Sequence, residues 1–593
     1  MNDELRQDQR IASFNTPLGK DVLVLTRFEG QEGLGELFEF RIDALSKREN
    51  IDFDPAIGRN CSVEFVTYTG AKRAFNGVLV EAQWTGMQER FFSYRLILRP
   101  WLWLLSQRAD CRIFANKTVP DIIKDVFNRA GFSDFRDGLT ENYPELEYCV
   151  QYRETDLAFV SRLMEEYGIY HFFEHTADKH TLVLADAKSS HKPIPRAETI
   201  PFIPLVAQER RDREHIYHWM SERRFRTGKV VLNDYDLLQP NAQMQGQAQK
   251  PEPYRHSDLE VYDYPGRYPR KSTDTRKKTK DGDDLAKVRL EADQAMDRRR
   301  HAAGDAISVF PGGLFKLMDH PSGAENQEYL VVRASHAFVP EHYRSGAGLE
   351  TGEIYFGHYE LLPSERRFRA PLITPKPIVQ GPQTAKVVGQ DGEEIDVDEH
   401  GRIKVAFHWD RENKQSRRVR VAQMWSGKKW GWQVIPRIGQ EVVVEFMEGD
   451  PDRPIVVGTV YNEENKYPYD LPANKTISGV KSDSTKGGGG YNEFLFEDKK
   501  GSEKIGMHAQ KDLDVVVEND ETRHVKNTQK IDVDRTITVT AGEKITLKCG
   551  ESTIVMDPTS ITLKSLTIKV DALETTVNGS ATLTLTGGLV KIN

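Results

Sequence analysis

Alternating apolar and polar residues dominate the C-terminal part of the chain. Pairs of apolar residues two positions apart recur there every seven to nine residues, with turn-forming residues between them. β-Branched residues in this alternation predict strands, because successive side chains of a strand point to opposite faces. The pairs are Ile537/Val539, Ile545/Leu547, Ile554/Met556, Ile561/Leu563 and Ile568/Val570, followed by Val577. So short a repeat of strand and corner predicts a β-solenoid.

Aromatic residues are missing from the 97 residues after Phe496, although the whole chain contains 27 Phe, 21 Tyr and 8 Trp. Globular cores depend on such large side chains to bury area. The lack of aromatic residues therefore predicts a thin structure whose axis is filled by Ile, Val and Leu. Stacking of the strands would pair their edges. Either one chain coiled on itself or three intertwined chains satisfies this pattern, and the short repeat favours three chains.

The N-terminal part, up to about residue 365, mixes strands with a few helices. Segments 21–30 and 38–45 show the apolar alternation of strands. Residues 118–132 predict a helix, with Pro120 in its first turn and Gly131 as its stop. The pattern indicates a mainly β structure with some helix.

A second helix is predicted within residues 154–167, where Thr155 is the expected N-cap. The apolar residues 169–173 that follow predict a strand. The charged segment 270–299 is expected to become helical after Asp284. Its basic cluster is interpreted as a solvated loop and helix face rather than as an anion-binding site.

A proline-rich segment separates the N-terminal part from a small all-β region. Residues 369–387 contain four prolines, which remove backbone donors and favour extended structure, so they indicate a domain boundary. Residues 385–465 predict about five short strands, two of them around a turn at Gly401, which suits an oligonucleotide/oligosaccharide-binding (OB) barrel. The glycine-rich segment 481–492 predicts a flexible joint.

The composition narrows the class of protein. A net charge of -8 argues against a dedicated nucleic-acid binder, whose affinity rests on excess Lys and Arg. No apolar run reaches the length of a membrane span, and the polar N-terminus lacks the core of an export signal. The four cysteines are scattered and predict reduced thiols rather than a disulfide framework or a zinc site.

The sequence offers few candidates for chemistry. No G-x-S-x-G nucleophile motif occurs, and the glycines at 487–490 lack the Lys-Ser/Thr of a phosphate loop. His171 and His175 are four residues apart but lie in a predicted strand, so buried structural histidines are expected. Neither a catalytic site nor a bound cofactor is predicted.

Two clusters in the predicted barrel have a structural and a binding interpretation. Asp396, Asp398 and Glu399 near a glycine resemble a calcium loop only weakly, so a hairpin turn is preferred. Half of the tryptophans also lie in this region: Trp409, Trp425, Trp430 and Trp432. Such a face can stack sugars or bases, but packing between the barrel, its neighbours and the linker is favoured.

Several long segments together resemble one protein family. The segments are YRETDLAFVSRLMEEYGIYHFFEH, DEHGRIKVAFHWD, VRVAQMWSGKKWGWQVIPRIGQEVVVEFMEGDPDRPIVVGTVYN and NEFLFEDKKGSEKIGMHAQKDLDVVVEND. They resemble the VgrG spike proteins of the type VI secretion system, which are similar to the fused hub and needle of contractile phage tails. The resemblance implies a homotrimer whose needle is an intertwined triple-stranded β-prism, so it favours the three-chain alternative.

The resemblance also implies a domain order and a mainly β fold class with some α. Residues 1–375 are expected to form a phage-hub-like base of two β-barrel-like subdomains with helical insertions. Residues 376–465 are expected to form an OB-fold collar and residues 466–492 a flexible linker. Residues 493–593 are expected to form the β-helical needle, a triangular prism.

Departures from the family pattern predict a spike without an enzyme of its own. The linker is too short for the lysozyme domain of some phage needles, and the chain stops at Asn593 without an added effector domain. No His follows His524, so no metal is expected at the needle tip. A PAAR-repeat protein with its effector is expected to dock at the tip, on these residues: Leu585, Gly587, Gly588, Leu589, Val590, Lys591, Ile592 and Asn593. The alternative is that these apolar side chains only fill the interior of the prism, and this alternative is preferred for Leu583 and Leu585.

The remaining partners and the location also follow from the resemblance. The base is expected to sit on the hexameric Hcp tube, and an adaptor chaperone can assist effector loading. Neither nucleic acid nor stable membrane insertion before firing is expected. The protein is expected in the cytoplasm before assembly and outside the cell after secretion. Two alternatives stay open: the hub-needle of a phage-like contractile tail, and a tailspike that binds or cleaves carbohydrate.

Overall fold

The chain forms two compact units, Met1–His508 and Ala509–Asn593. The computed structural model describes these residues: 5–8, 10–204, 213–268, 275–338, 355–412 and 414–591. For residues 275–278 it describes the backbone alone. Within these ranges, no helix combines the length and the apolar character needed to cross a membrane.

Strands dominate the first part of the first unit. In chain order they are β1 (Ala12–Asn15), β2 (Val24–Gly33), β3 (Glu39–Ser46), β4 (Asn60–Val66), β5 (Lys72–Gln88), β6 (Phe91–Arg99), β7 (Ala109–Thr118), β8 (Phe135–Gly138), β9 (Glu145–Thr155), β10 (Tyr170–His175), β11 (His180–Ala185), β12 (Lys192–Pro193), β13 (Thr199–Pro201), β14 (Ile216–Ser221), β15 (Lys229–Leu232), β16 (Gly246–Gln249), β17 (Glu260–Asp263), β18 (Arg300–Gly304), β19 (Gly313–Met318), β20 (Glu328–Phe338) and β21 (Tyr355–Pro363). The helices are α1 (Val119–Arg129), α2 (Asp156–Glu166) and α3 (Thr275–Gln294), with 3₁₀ turns at Trp101–Gln107, Lys188–Ser190 and Gly323–Glu325.

One 13-stranded sheet joins the two halves of this region. Its main path runs β1-β4-β5-β6-β3-β2-β20-β21-β18-β14, and β19 connects β20 to β12 and β13. The antiparallel pair β2/β20 brings together strands from the start and the end of the region. Buried phenylalanines fill the core beside this junction: Phe28, Phe38, Phe40, Phe65 and Phe75. The predicted mainly β class is confirmed.

The first two helices form in the predicted segments, and each has a threonine N-cap. Asp121 donates its backbone N–H to the Thr118 hydroxyl at 3.3 Å, and α1 buries its apolar face before Gly131. Ala158 donates its backbone N–H to the Thr155 hydroxyl at 3.1 Å, which confirms the predicted cap of α2. These contacts satisfy backbone donors that lack a partner inside the helix.

The third helix begins earlier than predicted, at Thr275 rather than after Asp284. Gly282 lies inside α3 because neighbouring groups approach it too closely for a side chain. A Cβ at Gly282 would lie 2.6 Å from the Tyr268 ring, and one at Gly246 would lie 2.4 Å from the Gly282 backbone. This tertiary packing overrides the poor helix propensity of glycine.

A five-stranded OB-type sheet follows the prolines. Its strands are β22 (Gln383–Val388), β23 (Lys404–Phe407), β24 (Arg420–Val421), β25 (Glu441–Phe446) and β26 (Pro454–Val460), in the order β23-β22-β25-β26-β24, with a 3₁₀ turn at Met447–Gly449. The barrel core also includes Ile113, Tyr148 and Val150 from β7 and β9. The barrel and the N-terminal region therefore share one hydrophobic cluster.

The prediction of two strands around Gly401 is half wrong. Only β23 forms after the turn, and residues 395–398 pair with no strand. Asp398 accepts hydrogen bonds from the backbone N–H groups of His400 and Arg402 at 3.0 and 2.9 Å. Hydrogen bonds from nearby backbone N–H groups to a side chain compete with the backbone hydrogen bonds of a β-strand, which accounts for the missing strand.

The glycine-rich segment forms a hairpin loop. The strands β27 (Ile477–Lys481), β28 (Glu493–Glu497) and β29 (Lys504–His508) form an antiparallel sheet. Ser482 donates its backbone N–H to Asn492 O at 2.8 Å, and Ser484 donates to Gly490 O at 2.8 Å. The flanking strands pair and close residues 481–492 into a loop, and the flexibility of this segment stays a prediction.

The second unit contains one regular sheet among its described residues, formed by β30 (Ile545–Cys549), β31 (Ser552–Met556) and β32 (Ile561–Lys564). These antiparallel strands coincide with three of the predicted apolar pairs. Their register places the pairs opposite one another in two rows, Leu547–Ile554–Leu563 and Ile545–Met556–Ile561. Because residues two apart share a face, both rows lie on the same side of the sheet.

Candidate assembly surfaces

The apolar rows of the second unit are exposed in the single chain. Every described residue from 509 to 591 is exposed or only partly buried. Ile561, for example, is 71% exposed. Exposed apolar faces of this extent mark surfaces that another protein covers. A single chain thus supplies one apolar face, and no other described segment of the second unit covers it.

The predicted tip residues lie at the end of this unit. Leu589 is 75% and Val590 is 50% exposed, and Lys591 is exposed as well. Leu585, Gly587 and Gly588 are also exposed, whereas Ile592 and Asn593 lie outside the described residues. The structure leaves this segment accessible, and its role as a docking site stays a prediction.

A second exposed surface lies on the OB domain. Trp409 packs as predicted: it stacks on Phe407 with ring centroids 5.0 Å apart and donates its indole N–H to Gln383 at 2.9 Å. The other tryptophans of the cluster are exposed at their loop: Trp425, Trp430 and Trp432. The described chain therefore provides the predicted packing for one tryptophan of the four.

A buried polar cluster that the sequence did not reveal joins three strands of the large sheet, β2, β5 and β20, to β10 of the neighbouring three-stranded sheet. Glu32 Oε1 lies 3.0 Å from His336 Nε2 and 3.2 Å from Arg73 Nη2, and Glu32 Oε2 lies 3.4 Å from His175 Nε2. Burial alone would raise the pKa of Glu32, but its contacts with His175 and His336 and the charge of Arg73 lower it well below its usual range. The cluster is enclosed, so it holds the sheet together rather than meeting a substrate. The sequence of β2 does not single out Glu32, because the same strand also contains Arg27 and Glu29.

The histidines considered as metal ligands have buried side chains. His171 is 4% exposed, and burial lowers its pKa to about 4. His175 lies in the same strand and contacts the backbone of Asn76 at 3.0 Å. Both imidazole side chains are buried, and their structural role stays an interpretation.

The acidic residues near Gly401 serve the turn. Asp396 accepts a backbone hydrogen bond from Gln390 at 3.1 Å and pairs with Arg418, and Asp398 pairs with Arg402 at 2.7 Å. Their carboxylates are thus engaged by protein donors. Across the part of the chain that the structure describes, no group of three or more His, Cys, Asp or Glu side chains has the arrangement of a metal site.

Three family matches cover most of the chain in order. Residues 31–341 match the phage tail baseplate hub (GPD), and residues 383–461 match the type VI secretion system/phage-baseplate injector OB domain. Residues 478–586 match the bacteriophage T4 gp5 C-terminal trimerisation domain. The exposed apolar rows therefore fall in a region related to a trimerisation domain.

Two curated relatives agree with these matches. The type VI secretion system spike protein VgrG1b of Pseudomonas aeruginosa is 44% identical over 527 residues, which are 88% of this chain and 70% of the relative. The VgrG1a spike protein of the same organism is 43% identical over 517 residues, 86% of this chain and 79% of the relative. The fold is similar to that of an E. coli type VI secretion component, with a TM-score of 0.51 and 20% identity over 74% of this chain and 97% of that chain. That component is described as structurally similar to the T4 tail proteins gp27 and gp5. The chain belongs to the VgrG family of type VI secretion system spike proteins.

Proposed function

We propose that three copies of this chain form a spike that pierces a target envelope when the secretion machine fires. The observation that carries this proposal is the one-sided apolar face of β30–β32, which the described chain leaves uncovered. About a dozen exposed apolar side chains lie between residues 545 and 590. At about 1 kcal/mol for each half-buried side chain, their burial stabilises assembly by on the order of 10 kcal/mol per chain.

The trimer would intertwine its C-terminal strands into a needle. One chain pairs only β30, β31 and β32 among the described residues of the second unit. Strands from two further copies would pair the remaining edges and close the apolar axis. Such a needle resists bending and unravelling because every strand is hydrogen-bonded to others.

The hub region would carry the spike on the Hcp tube. Residues 31–341 match a phage baseplate hub, which supports a base that would sit on the end of the tube. The protein would be made in the cytoplasm and leave the cell with the tube. Its role would be mechanical, without catalysis by the described residues.

The far end of the needle would receive a PAAR-repeat protein and its effector. Leu589 and Val590 offer apolar side chains, and the neighbouring glycines Gly587 and Gly588 allow close approach of another backbone. The residues proposed for this docking are Leu585, Gly587, Gly588, Leu589, Val590, Lys591, Ile592 and Asn593.

Native mass spectrometry of the purified chain tests the trimer, and a species of one chain at micromolar concentration would contradict it.

Deleting residues 587–593 tests the docking surface. The truncated protein should stay trimeric but lose co-purification of its PAAR-repeat protein. A Glu463→Ala variant, altered at an exposed site of the OB region, is the control and should retain the partner. Unchanged co-purification after the deletion would refute docking at these residues.

A further inference from the structure

An exposed aromatic loop on the OB domain has no partner within the described chain. This tryptophan loop comprises residues 422–435, between β24 and β25. Its large apolar side chains are Met424 (87% exposed), Trp425 (65%), Trp430 (56%), Trp432 (46%) and Val434 (53%). With about 150–250 Å² for each large aromatic side chain, the exposed apolar area is on the order of 500 Å². A contiguous patch of this size is typical of an interaction surface rather than of scattered apolar residues.

The tryptophan loop is held in one shape by its own backbone. Gly427 donates its N–H to Trp430 O at 2.9 Å, and Trp432 donates to Trp425 O at 2.8 Å. The Trp425 and Trp430 rings meet edge to face with centroids 5.0 Å apart. A Cβ at Gly427 would lie 2.3 Å from the Trp430 ring, and one at Gly431 would lie 2.5 Å from Trp425 O. Because this shape is preformed, docking loses little conformational entropy.

The polar groups of the tryptophan loop favour a protein surface over a sugar. The Gln423 amide exchanges two hydrogen bonds with the backbone of Val434, at 3.0 and 2.9 Å. It is therefore unavailable to a ligand hydroxyl. The other polar side chains of the loop are Ser426, Lys428, Lys429 and Gln433, which suit the polar rim of a protein interface.

A second copy of this chain is the occupant that the fold favours. β26 ends at Val460, and the region matched to a trimerisation domain begins at residue 478. About 17 extended residues span at most roughly 60 Å, so three OB domains are tethered around one threefold axis. β24 and β26 are parallel neighbours, so the tryptophan loop and the residues after β26 continue from the same end of the barrel.

More exposed apolar residues lie at this same end: Val457, Val460, Tyr461 and Tyr467. Ring-forming symmetry joins different patches of neighbouring subunits. We infer that in the trimer the tryptophan loop of each chain packs on another copy, against the apolar residues at the end of β26. This contact would make the OB domains a second trimer interface beside the needle. The inference rests on the proposed trimer.

Photo-crosslinking of the full-length chain tests this contact. Lys428 is replaced by p-benzoylphenylalanine, and the matched control carries the same residue in place of Glu399, whose side chain is 86% exposed on another loop of the barrel. Native mass spectrometry first determines whether each variant is trimeric. After irradiation, denaturing gels should show covalent dimers and trimers for the Lys428 variant and at least fivefold less for the control. The crosslinked peptides should include residues 454–467.

The outcomes separate this inference from the trimer itself. A monomeric chain would refute the proposed trimer and, with it, the contact. A confirmed trimer without inter-chain crosslinks at position 428, or with equal yields at both positions, would overturn the contact alone. A Trp425→Ser/Trp430→Ser variant of the crosslinking chain should remain trimeric through its needle but lose at least fivefold in crosslink yield. An unchanged yield in that variant also contradicts packing by the tryptophans.

Discussion

Replacing Ile561 by threonine tests whether the apolar rows hold the trimer together. Ile561 lies in β32, opposite Met556, and is 71% exposed in the single chain. Threonine keeps the β-branch that favours a strand but exchanges apolar area for a hydroxyl. Any loss of stability therefore reports burial of the side chain rather than a weaker preference for the strand.

The size of the effect follows from the exposed fraction. Full burial of an isoleucine side chain is worth about 1.5–3 kcal/mol, so burying 71% of it contributes about 1–2 kcal/mol per chain. Burial of Ile561 in all three copies would therefore stabilise the trimer by on the order of 3–6 kcal/mol. A loss of about 4 kcal/mol raises the trimer dissociation constant about a thousandfold.

The assay is a dilution series of the full-length chain in moderate guanidinium, with the trimer fraction measured by native mass spectrometry. Val555→Thr is the matched control, because Val555 lies between Thr546 and Thr562 on the other face of the same sheet. The Ile561→Thr trimer should dissociate at much higher protein concentration than the control. Equal dissociation of the two variants would refute the inward orientation of the rows.

Three further predictions concern the first unit. Lys376→Ala should lower the free energy of unfolding by about 3–5 kcal/mol in guanidinium titration. Buried Lys376 Nζ lies 2.7 Å from Asp450 and 2.6 Å from Asp452, so its loss removes the ion pair of Asp452 and leaves Asp450 with the longer 3.5 Å pair to Arg267. Gly282→Ala should lower the melting temperature although alanine favours helix, since its Cβ would meet the Tyr268 ring at 2.6 Å. His171→Gln should flatten the pH dependence of the free energy of unfolding. Burial lowers the pKa of His171 to about 4, so between about pH 6.5 and 4 the unfolded chain binds a proton that the folded chain does not. The stability of the wild type therefore falls as the pH drops through that window.

Each of these predictions has an outcome that contradicts it. Lys376→Ala with wild-type stability would mean that the carboxylates find other partners. Lys287→Ala, at an exposed site of α3, is the control for Gly282→Ala, and equal melting temperatures would refute the close approach. For His171, the wild type should lose about 1 kcal/mol more than the variant between pH 7.5 and 5.5. Parallel pH profiles of the two proteins would refute a neutral buried imidazole.

Local sequence signals predicted the elements whose causes are local. Thr118 and Thr155 cap their helices because a hydroxyl reaches a backbone N–H within three residues. The apolar pairs at 545–563 form β30–β32 because alternation with period two needs only one buried face. The mainly β class and the order hub, OB domain and needle region follow from such patterns and from the resemblance.

Contacts between distant residues decided what the sequence pattern missed. α3 continues through Gly282 because Tyr268 and Gly246 fill the space of a side chain there. The glycine-rich segment became a hairpin loop because β27 and β28 pair across it. Glu32 meets His336 because β2 and β20 pair across about 300 positions of sequence, and it meets His175 from β10 of another sheet. The domain boundaries and the tip residues remain predictions.

Sequence by itself determined the family, the strand pattern and the apolar pairs that form the rows, because periodicity, composition and long motifs depend only on the order of residues along the chain. Tertiary structure decided which groups are enclosed and which are left uncovered. It packed Trp409 against the barrel core but left Trp425 and Trp430 exposed, although all three belong to one cluster in the sequence. Burial depends on which distant segment packs against a side chain, and alternation along the chain does not encode that choice.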